Sequence, residues 1–278
     1  MTAYLRPATL AEAVTARREH PDYVVLAGGT DLLVGAARRP PPPGILDVLG
    51  LAEATGIRHD EDGTLVIGGM TTYLALLESE VIAAELPMLR ACAREIGALQ
   101  IQARGTVAGN IATSSPVGDT LPVWLALDAT VELVSASGSR RVPYGELITG
   151  YRKTQLGADE LITAVRVPPR EPGWAQHWRK VGTRRAQSIS KVMLAAAAHV
   201  TGGVIRDVRL AFGAVADRPV RARAAEAAIC GQAVGAGAVA AVRAALAGDI
   251  TPIDDVRSSA DYRLRVAQNL AARFIAQL

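Results

Sequence analysis

The sequence predicts an α+β fold in which helices and short strands are mixed through most of the chain. Thr9 and Glu12 have the spacing of a capping box, so a helix should begin there and run to about Arg18. Short β-rich stretches end at glycine or Asp-Gly turns, a pattern typical of hairpins. Near the C-terminus apolar residues recur every four positions and indicate an amphipathic helix; they are Tyr262, Val266, Leu270 and Phe274.

Residues 1 to about 55 are predicted to form a small α/β lobe. The first helix should end at His20-Pro21-Asp22, and residues 23–26 and 45–48 are β-rich. The segment from Arg38 to Gly44 between them, with four consecutive prolines from Pro40, predicts a stiff polyproline-type connector on the surface.

The next segment should contain a hairpin, several helices and two longer strands. Residues 55–59 and 64–67 flank an Asp-Gly turn, and helices are expected from Thr72 and over residues 81–97. Strands follow at residues 130–135 and 161–167. Residues 168–173 are the clearest linker, so we predict domains at 1–170 (subdomains about 1–55 and 56–170) and 174–278.

The C-terminal domain is predicted to be α+β. Residues 174–181 alternate as a strand, and residues 204–210 alternate after Gly202-Gly203 as one arm of a hairpin. Residues 192–200 are apolar and alanine-rich, which leaves helix and strand both open. The stretch from Gly235 to Ala240 imitates a dinucleotide fingerprint, but a helical pattern precedes it where a strand is required, so we interpret it as a helix junction.

Composition argues against several classes of function. The net charge is only +3, no basic run exceeds a pair such as Arg38-Arg39, and aromatic residues make up 4% of the chain. Nucleic-acid binding usually needs a basic stripe or stacking aromatics, so no nucleic-acid partner is expected. Cys92 and Cys230 are too few for an iron–sulfur cluster, which needs about four thiolates.

The same sequence lacks the marks of a membrane protein or a hydrolase. No apolar stretch approaches the roughly 20 residues of a membrane span, and the N-terminus has no apolar signal core. We therefore expect a cytoplasmic protein without membrane insertion. The four histidines show no metal-ligand spacing and no nucleophile–base pair emerges, so neither a metal site nor a catalytic residue is predicted.

Two glycine-rich segments carry the strongest functional signal. The first is Leu26-Ala27-Gly28-Gly29-Thr30-Asp31-Leu32, after an apolar run, and the second is Gly105-Thr106-Val107-Ala108-Gly109-Asn110. Glycines after a strand let backbone amides approach a phosphate closely, because no Cβ blocks the approach. Two such loops suggest a diphosphate held from two sides, as in a dinucleotide cofactor.

With further motifs, these segments resemble the FAD-binding (medium) subunit of the molybdenum hydroxylases, the family of xanthine dehydrogenase and carbon monoxide dehydrogenase. The resemblance covers essentially the whole chain. The second glycine segment extends back to Gln100-Ile101-Gln102-Ala103-Arg104 in this match. Beyond the two segments the match includes Ser115-Pro116-Val117-Gly118-Asp119, Gly150-Tyr151-Arg152-Lys153-Thr154, Lys180-Val181-Gly182-Thr183-Arg184 and Ser259-Ala260-Asp261-Tyr262-Arg263. Ala108 departs from the family's usual second glycine and Ala103 from its common asparagine.

The resemblance implies a fold, a cofactor and partners. The fold would be two α/β subdomains of the PCMH/vanillyl-alcohol-oxidase type around non-covalent FAD, followed by a C-terminal α+β domain. The chain would be an oxidoreductase subunit that passes electrons from iron–sulfur clusters through FAD to NAD or another acceptor. The molybdenum cofactor and [2Fe-2S] clusters would lie on partner subunits, in a dimer of heterotrimers.

The resemblance also implies the cofactor-binding residues. Asp119 would meet a ribityl or ribose hydroxyl, because a carboxylate beside a diphosphate is repelled, and Lys180 would contact the cofactor. Ile96 and Ile162 would touch the flavin. The full set is Val25, Leu26, Ala27, Gly28, Gly29, Thr30, Asp31, Leu32, Ile96, Thr106, Val107, Ala108, Gly109, Asn110, Asp119, Ile162 and Lys180.

Two other functions stay open at this point. One is a self-sufficient FAD-dependent alcohol oxidase of the vanillyl-alcohol-oxidase type, although 278 residues leave little room for a substrate domain. The other is a non-catalytic nucleotide-binding module. Within the family, the segment Gly150–Thr154 favours the xanthine dehydrogenase side over the carbon monoxide side.

Overall fold

A computed structural model of the chain describes residues 2–185 and 187–278. Its strands are β1 (Ala3–Leu5), β2 (Val24–Leu26), β3 (Gly44–Asp47), β4 (Ile57–His59), β5 (Leu65–Gly68), β6 (Thr130–Ser135), β7 (Gly138–Pro143), β8 (Ile148–Gly150), β9 (Lys153–Thr154), β10 (Leu161–Val167), β11 (Trp174–Val181), β12 (Val192–Thr201), β13 (Val204–Gly213) and β14 (Val220–Arg221). Its helices are α1 (Leu10–Glu19), α2 (Tyr73–Glu78), α3 (Glu80–Glu85), α4 (Pro87–Ala93), α5 (Leu99–Gln102), α6 (Val107–Thr113), α7 (Leu121–Ala126), α8 (Tyr144–Leu147), α9 (Arg223–Ile229), α10 (Ala236–Leu246) and α11 (Ala260–Ile275).

The N-terminal sheet is small and parallel, with strand order β1-β3-β2. Helix α1 begins as predicted: the Thr9 hydroxyl accepts a hydrogen bond from the amide of Glu12, and the Glu12 carboxylate accepts one from the amide of Ala8. Ala13 and Val14 are the buried residues of this helix. Strand β2 is an edge strand of this sheet and ends at Leu26, so the first glycine loop follows a strand directly.

The second sheet is antiparallel, with strand order β4-β5-β10-β6-β7, and the short helices α2 to α7 lie between β5 and β6 in the chain. The predicted hairpin is present, since Ile57 to His59 pair with Ile67 to Leu65. Helix α6, which begins in the second glycine loop, contacts β10 of this sheet directly.

The third sheet, of order β11-β12-β13-β14, carries the C-terminal helices. The alanine-rich segment that the sequence left open is strand β12, paired on both sides with β11 and β13. Its side chains alternate between two cores: Ala195 belongs to the core of the first two sheets, and Ala196 and Ala198 belong to the core beneath the C-terminal helices. Small side chains fit a strand that is covered on both faces, with α7 on one and α11 on the other.

Two expectations about the C-terminal helices have different outcomes. The stretch from Gly235 is indeed a helix junction, because α9 precedes it and α10 begins at Ala236. The apolar stripe predicted for α11 is confirmed in part: Phe274 is buried, and Val266 and Leu270 pack against the C-terminal core, but Tyr262 is 43% exposed. The buried face also contains Arg263, Ala267 and Ala271. Arg263 turns inward because its guanidinium donates to the carbonyl oxygens of Lys191 and Ala214.

Among the described residues, no helix has the length and apolar character needed to cross a membrane. No group of three or more His, Cys, Asp or Glu side chains in that part of the chain could hold a metal ion.

Candidate cofactor site

A cavity of about 530 Å³ lies between the two glycine loops and the antiparallel sheet. It brings together most of the residues that the sequence singled out. Those on its wall are Val25, Ala27, Gly28, Gly29, Thr30, Asp31, Leu32, Ile96, Thr106, Ala108, Gly109, Asn110, Asp119 and Ile162.

Three of the predicted residues do not line this cavity. Leu26 is the last residue of β2, and its carbonyl accepts a hydrogen bond from Val48, which anchors the loop to the sheet. Val107 is fully buried in the core. Lys180 is buried behind the wall and bonds to Asp119, so the structure does not place it on the cavity surface as the resemblance implied.

The first glycine loop offers a row of free amides to the cavity. In residues 2–185 and 187–278, no protein group accepts a hydrogen bond from the backbone N–H groups of Gly28 to Leu32. Gly29 has φ of 75°, a left-handed conformation that favours glycine. Successive amides around such a residue form a concave nest for an anion.

Arg39 lies outside the first glycine-rich segment but is hydrogen-bonded to this loop. Its Nη2 donates to the carbonyl oxygens of Leu32 at 2.8 Å and Val34 at 2.7 Å. Arg39 also lines the cavity, so it adds a positive charge beside the free amides. The sequence analysis missed this role because Arg39 lay in what looked like a connector.

The two loops touch at Gly28. A Cβ placed there would lie 1.8 Å from the carbonyl oxygen of Arg104 and 3.1 Å from Gly105 Cα. The missing side chain therefore lets the first loop pack on the backbone just before the second. This close approach is a second reason for glycine, besides access to a ligand.

The second loop differs from the expectation that its amides wrap a diphosphate. The N–H of Val107 donates to Thr71, that of Ala108 to Gly69, and that of Gly109 to the Thr106 hydroxyl. The start of α6 is hydrogen-bonded to the segment after β5, so these amides already have acceptors inside the protein. The groups that remain for a ligand are the backbone N–H of Thr106, which makes no hydrogen bond among the described residues, and Asn110 Nδ2, since Asn110 Oδ1 already accepts from the Thr120 hydroxyl at 2.6 Å.

Asp119 is an acidic side chain of the wall that pairs with a buried cation. Its Oδ2 accepts from Lys180 Nζ at 2.7 Å, and its Oδ1 accepts from the Ser190 hydroxyl at 2.8 Å. Burial raises the pKa of Asp119, and the two donors act in the opposite direction because they stabilise the carboxylate.

The remaining wall is largely apolar, with Ile96 and Ile162 among its side chains. Tyr73 also lies there, and its hydroxyl is buried without a hydrogen-bond partner among the described residues. Burial raises the pKa of Tyr73, so this phenol stays neutral.

The donor set fits a flavin dinucleotide. Free amides and Arg39 match a diphosphate, the carboxylate of Asp119 matches a hydroxyl, and the apolar wall matches a planar ring system. Charge-assisted hydrogen bonds from several amides can hold such a ligand without a covalent link.

Comparison with known proteins identifies the family. The family model described as the FAD binding domain in molybdopterin dehydrogenase matches residues 1–170, and the CO dehydrogenase flavoprotein C-terminal domain matches residues 177–278. The chain therefore belongs to the FAD-binding medium subunits of the molybdenum hydroxylases, oxidoreductases of the xanthine dehydrogenase and CO dehydrogenase type.

Individual relatives are similar over their full lengths. The chain is 33% identical to the putative xanthine dehydrogenase FAD-binding subunit XdhB of Escherichia coli (strain K12), covering 99% of this chain and 95% of that protein. It is 32% identical to the nicotine 6-hydroxylase medium subunit of Paenarthrobacter nicotinovorans, with 99% and 96% covered. A solved carbon monoxide dehydrogenase from Hydrogenophaga pseudoflava superposes with a TM-score of 0.93 at 31% identity, over 98% of this chain and 95% of that one.

Proposed function

We propose that this chain holds FAD non-covalently in the cavity between the glycine loops and passes electrons from iron–sulfur clusters of a partner subunit, through FAD, to NAD or another acceptor. The observation that carries the proposal is the row of free amides from Gly28 to Leu32 on the wall of the cavity. Family membership supplies the identity of the cofactor.

The proposed roles follow the contacts of each group. The amides of the first loop and Arg39 would hold the diphosphate, and Asp119 would accept a hydrogen bond from a ribityl or ribose hydroxyl. Ile96 and Ile162 would pack on the ring system. Lys180 would act on the cofactor through Asp119, because its ammonium group is buried against that carboxylate.

The domain arrangement is part of the proposal. Residues 1–170 would form the FAD-binding domain, with subdomains at about 1–55 and 56–170 of the PCMH/vanillyl-alcohol-oxidase type, and residues 174–278 the C-terminal domain. The presence of a separate sheet, β11-β12-β13-β14, after residue 173 supports this division.

We further propose an iron–sulfur subunit and a molybdenum-cofactor subunit as partners, assembled as a dimer of heterotrimers. The medium subunits of nicotine 6-hydroxylase and carbon monoxide dehydrogenase among the relatives support such partners. The cytoplasmic location expected from the sequence stays a prediction.

Acid precipitation of the purified chain tests the cofactor. The protein should be yellow, and FAD should appear in the supernatant after precipitation. Colour left in the pellet would mean a covalent link, and FMN in the supernatant would contradict the assignment of the free amides to a diphosphate.

Reconstitution tests the electron-transfer role. Reduction of the bound flavin by the substrate of the complex should require both partner subunits. The isolated chain lacks cluster ligands, so it should not oxidise a purine, an aldehyde or an N-heterocycle. Reduction of its flavin by an alcohol at a rate that matches turnover would instead establish the self-sufficient oxidase.

A further inference from the structure

A carboxylate on the cavity wall is oriented by two residues that do not themselves line the cavity. Asp119 lies on the wall, and its two oxygens accept hydrogen bonds from Lys180 Nζ at 2.7 Å and from the Ser190 hydroxyl at 2.8 Å. Lys180 is 6% exposed and Ser190 is fully buried. Solvent therefore competes little with either bond.

Both donors come from the C-terminal sheet. Lys180 belongs to β11, and Ser190 lies just before β12, where the amide of Lys191 donates to the carbonyl of Val181 and closes the connecting loop. Asp119 belongs to the loop that precedes α7. The orientation of a wall group is thus set by a part of the chain far away in sequence.

The two donors have different tasks. Lys180 neutralises the charge of the carboxylate, but a single donor on one oxygen leaves the group free to rotate about its Cβ–Cγ bond. A second donor on the other oxygen fixes the plane of the carboxylate and so the direction of its remaining lone pairs. The other titratable groups that face Asp119 are the buried thiol of Cys92 on α4 and the phenol of Tyr73 on α2.

We propose that Ser190 is a positioning residue for the cofactor, acting through its hydrogen bond to Asp119 Oδ1. The proposal rests on the proposed function, since it assumes that FAD occupies the cavity. An alanine at this position would keep the fold of the buried segment but would release one oxygen of Asp119.

The test compares FAD affinity in the flavin-free full-length chain, measured by fluorescence titration. Ser190→Ala should weaken FAD binding about tenfold, which is the size of effect that one lost hydrogen bond to a charged group produces. Ser188→Ala is the matched control, because the Ser188 hydroxyl donates to the carbonyl of Arg184 in the same segment and does not touch Asp119. The control should bind FAD as the wild type does.

A double-mutant cycle with Asp119→Asn separates positioning from a general loosening of the segment. If Ser190 acts through Asp119, adding Ser190→Ala to Asp119→Asn should change FAD affinity less than twofold. The pH profile gives a second measurement: without the Ser190 donor, Asp119 protonates more easily, so the loss of affinity should grow as the pH falls.

The proposal is overturned if Ser190→Ala behaves like Ser188→Ala, or if its effect is the same with and without the Asp119 carboxylate and at every pH. Failure of the proposed function would look different, since the wild-type chain itself would then bind no FAD.

Discussion

Gly28 and Arg104 mark the point at which the two glycine loops meet, since a Cβ on Gly28 would lie 1.8 Å from the Arg104 carbonyl oxygen. No side-chain rotation relieves that clash, because the backbone fixes the position of the Cβ and the oxygen is itself a backbone atom. The contact holds the free amides of the first loop against the wall to which α6 contributes Asn110. Loop geometry and cofactor binding are therefore coupled at a single glycine.

Gly28→Ala should separate the two loops. Overpacking of this kind costs about 1–3 kcal/mol, and displacement of the amides should reduce FAD content in the purified protein to a small fraction. The measurement is flavin absorbance per chain together with the free energy of unfolding in urea. Full flavin content in this variant would contradict the coupling.

Gly237→Ala provides the matched control for that substitution. Gly237 lies near the start of α10, and the nearest atom to a Cβ there is Gln232 Oε1 at 3.9 Å. Alanine is the better helix former, so this variant should be more stable by about 0.5 kcal/mol and should retain its flavin. Loss of FAD in this variant would mean that the segment from Gly235 to Ala240 binds the dinucleotide after all.

Local patterns predicted most of the elements that position the site. The capping box at Thr9, the Asp-Gly hairpin and the linker after Val167 all depend on neighbouring residues, and the structure has each of them. The first glycine loop was also predictable, because a strand followed by Gly28-Gly29 needs little tertiary context.

Long-range partners explain what sequence reasoning missed. The amides of α6 are used by Thr71 and Gly69, so their unavailability depends on a segment from another part of the chain. Lys180 and Ser190 reach Asp119 across 61 and 71 residues, and nothing in the local sequence signals that pairing. The inward position of Arg263 on α11 was missed because it depends on backbone carbonyls that periodicity does not reveal.

Arg39→Ala should weaken FAD binding with little effect on stability. Arg39 is exposed, but it donates to two carbonyl oxygens of the first loop and adds a charge beside the free amides. Loss of both should reduce affinity about tenfold or more, by the measure of hydrogen bonds to charged groups. Arg38→Ala is the control, since the Arg38 side chain makes no hydrogen bond in residues 2–185 and 187–278. If Arg39→Ala and Arg38→Ala reduce FAD affinity equally, the net charge of the protein, and not the hydrogen bonds of Arg39, determines the effect.

Asp255→Asn should destabilise the C-terminal domain at neutral pH and much less in acid. Asp255 Oδ1 accepts from the buried Arg263 at 2.7 Å. Although desolvation opposes it, the backbone and side chain of Arg257 and the side chain of Arg263 together lower the pKa of Asp255 to about 2.

A lowered pKa means that the carboxylate stabilises the fold above its unfolded pKa, near 4, and that this contribution disappears as the pH falls through about 2. Solvent screens the pair, so the expected difference between wild type and Asp255→Asn is about 1 kcal/mol at pH 7. Urea unfolding at pH 7, 5, 4 and 3 should show a constant difference down to about pH 4 and a shrinking one below it.

Asp22→Asn is the control, because Asp22 is an exposed carboxylate without a side-chain hydrogen bond among the described residues. Its stability difference from the wild type should show no such dependence on pH. A difference between wild type and Asp255→Asn that stays unchanged at pH 3 would mean that the ionised carboxylate is not what holds Arg263.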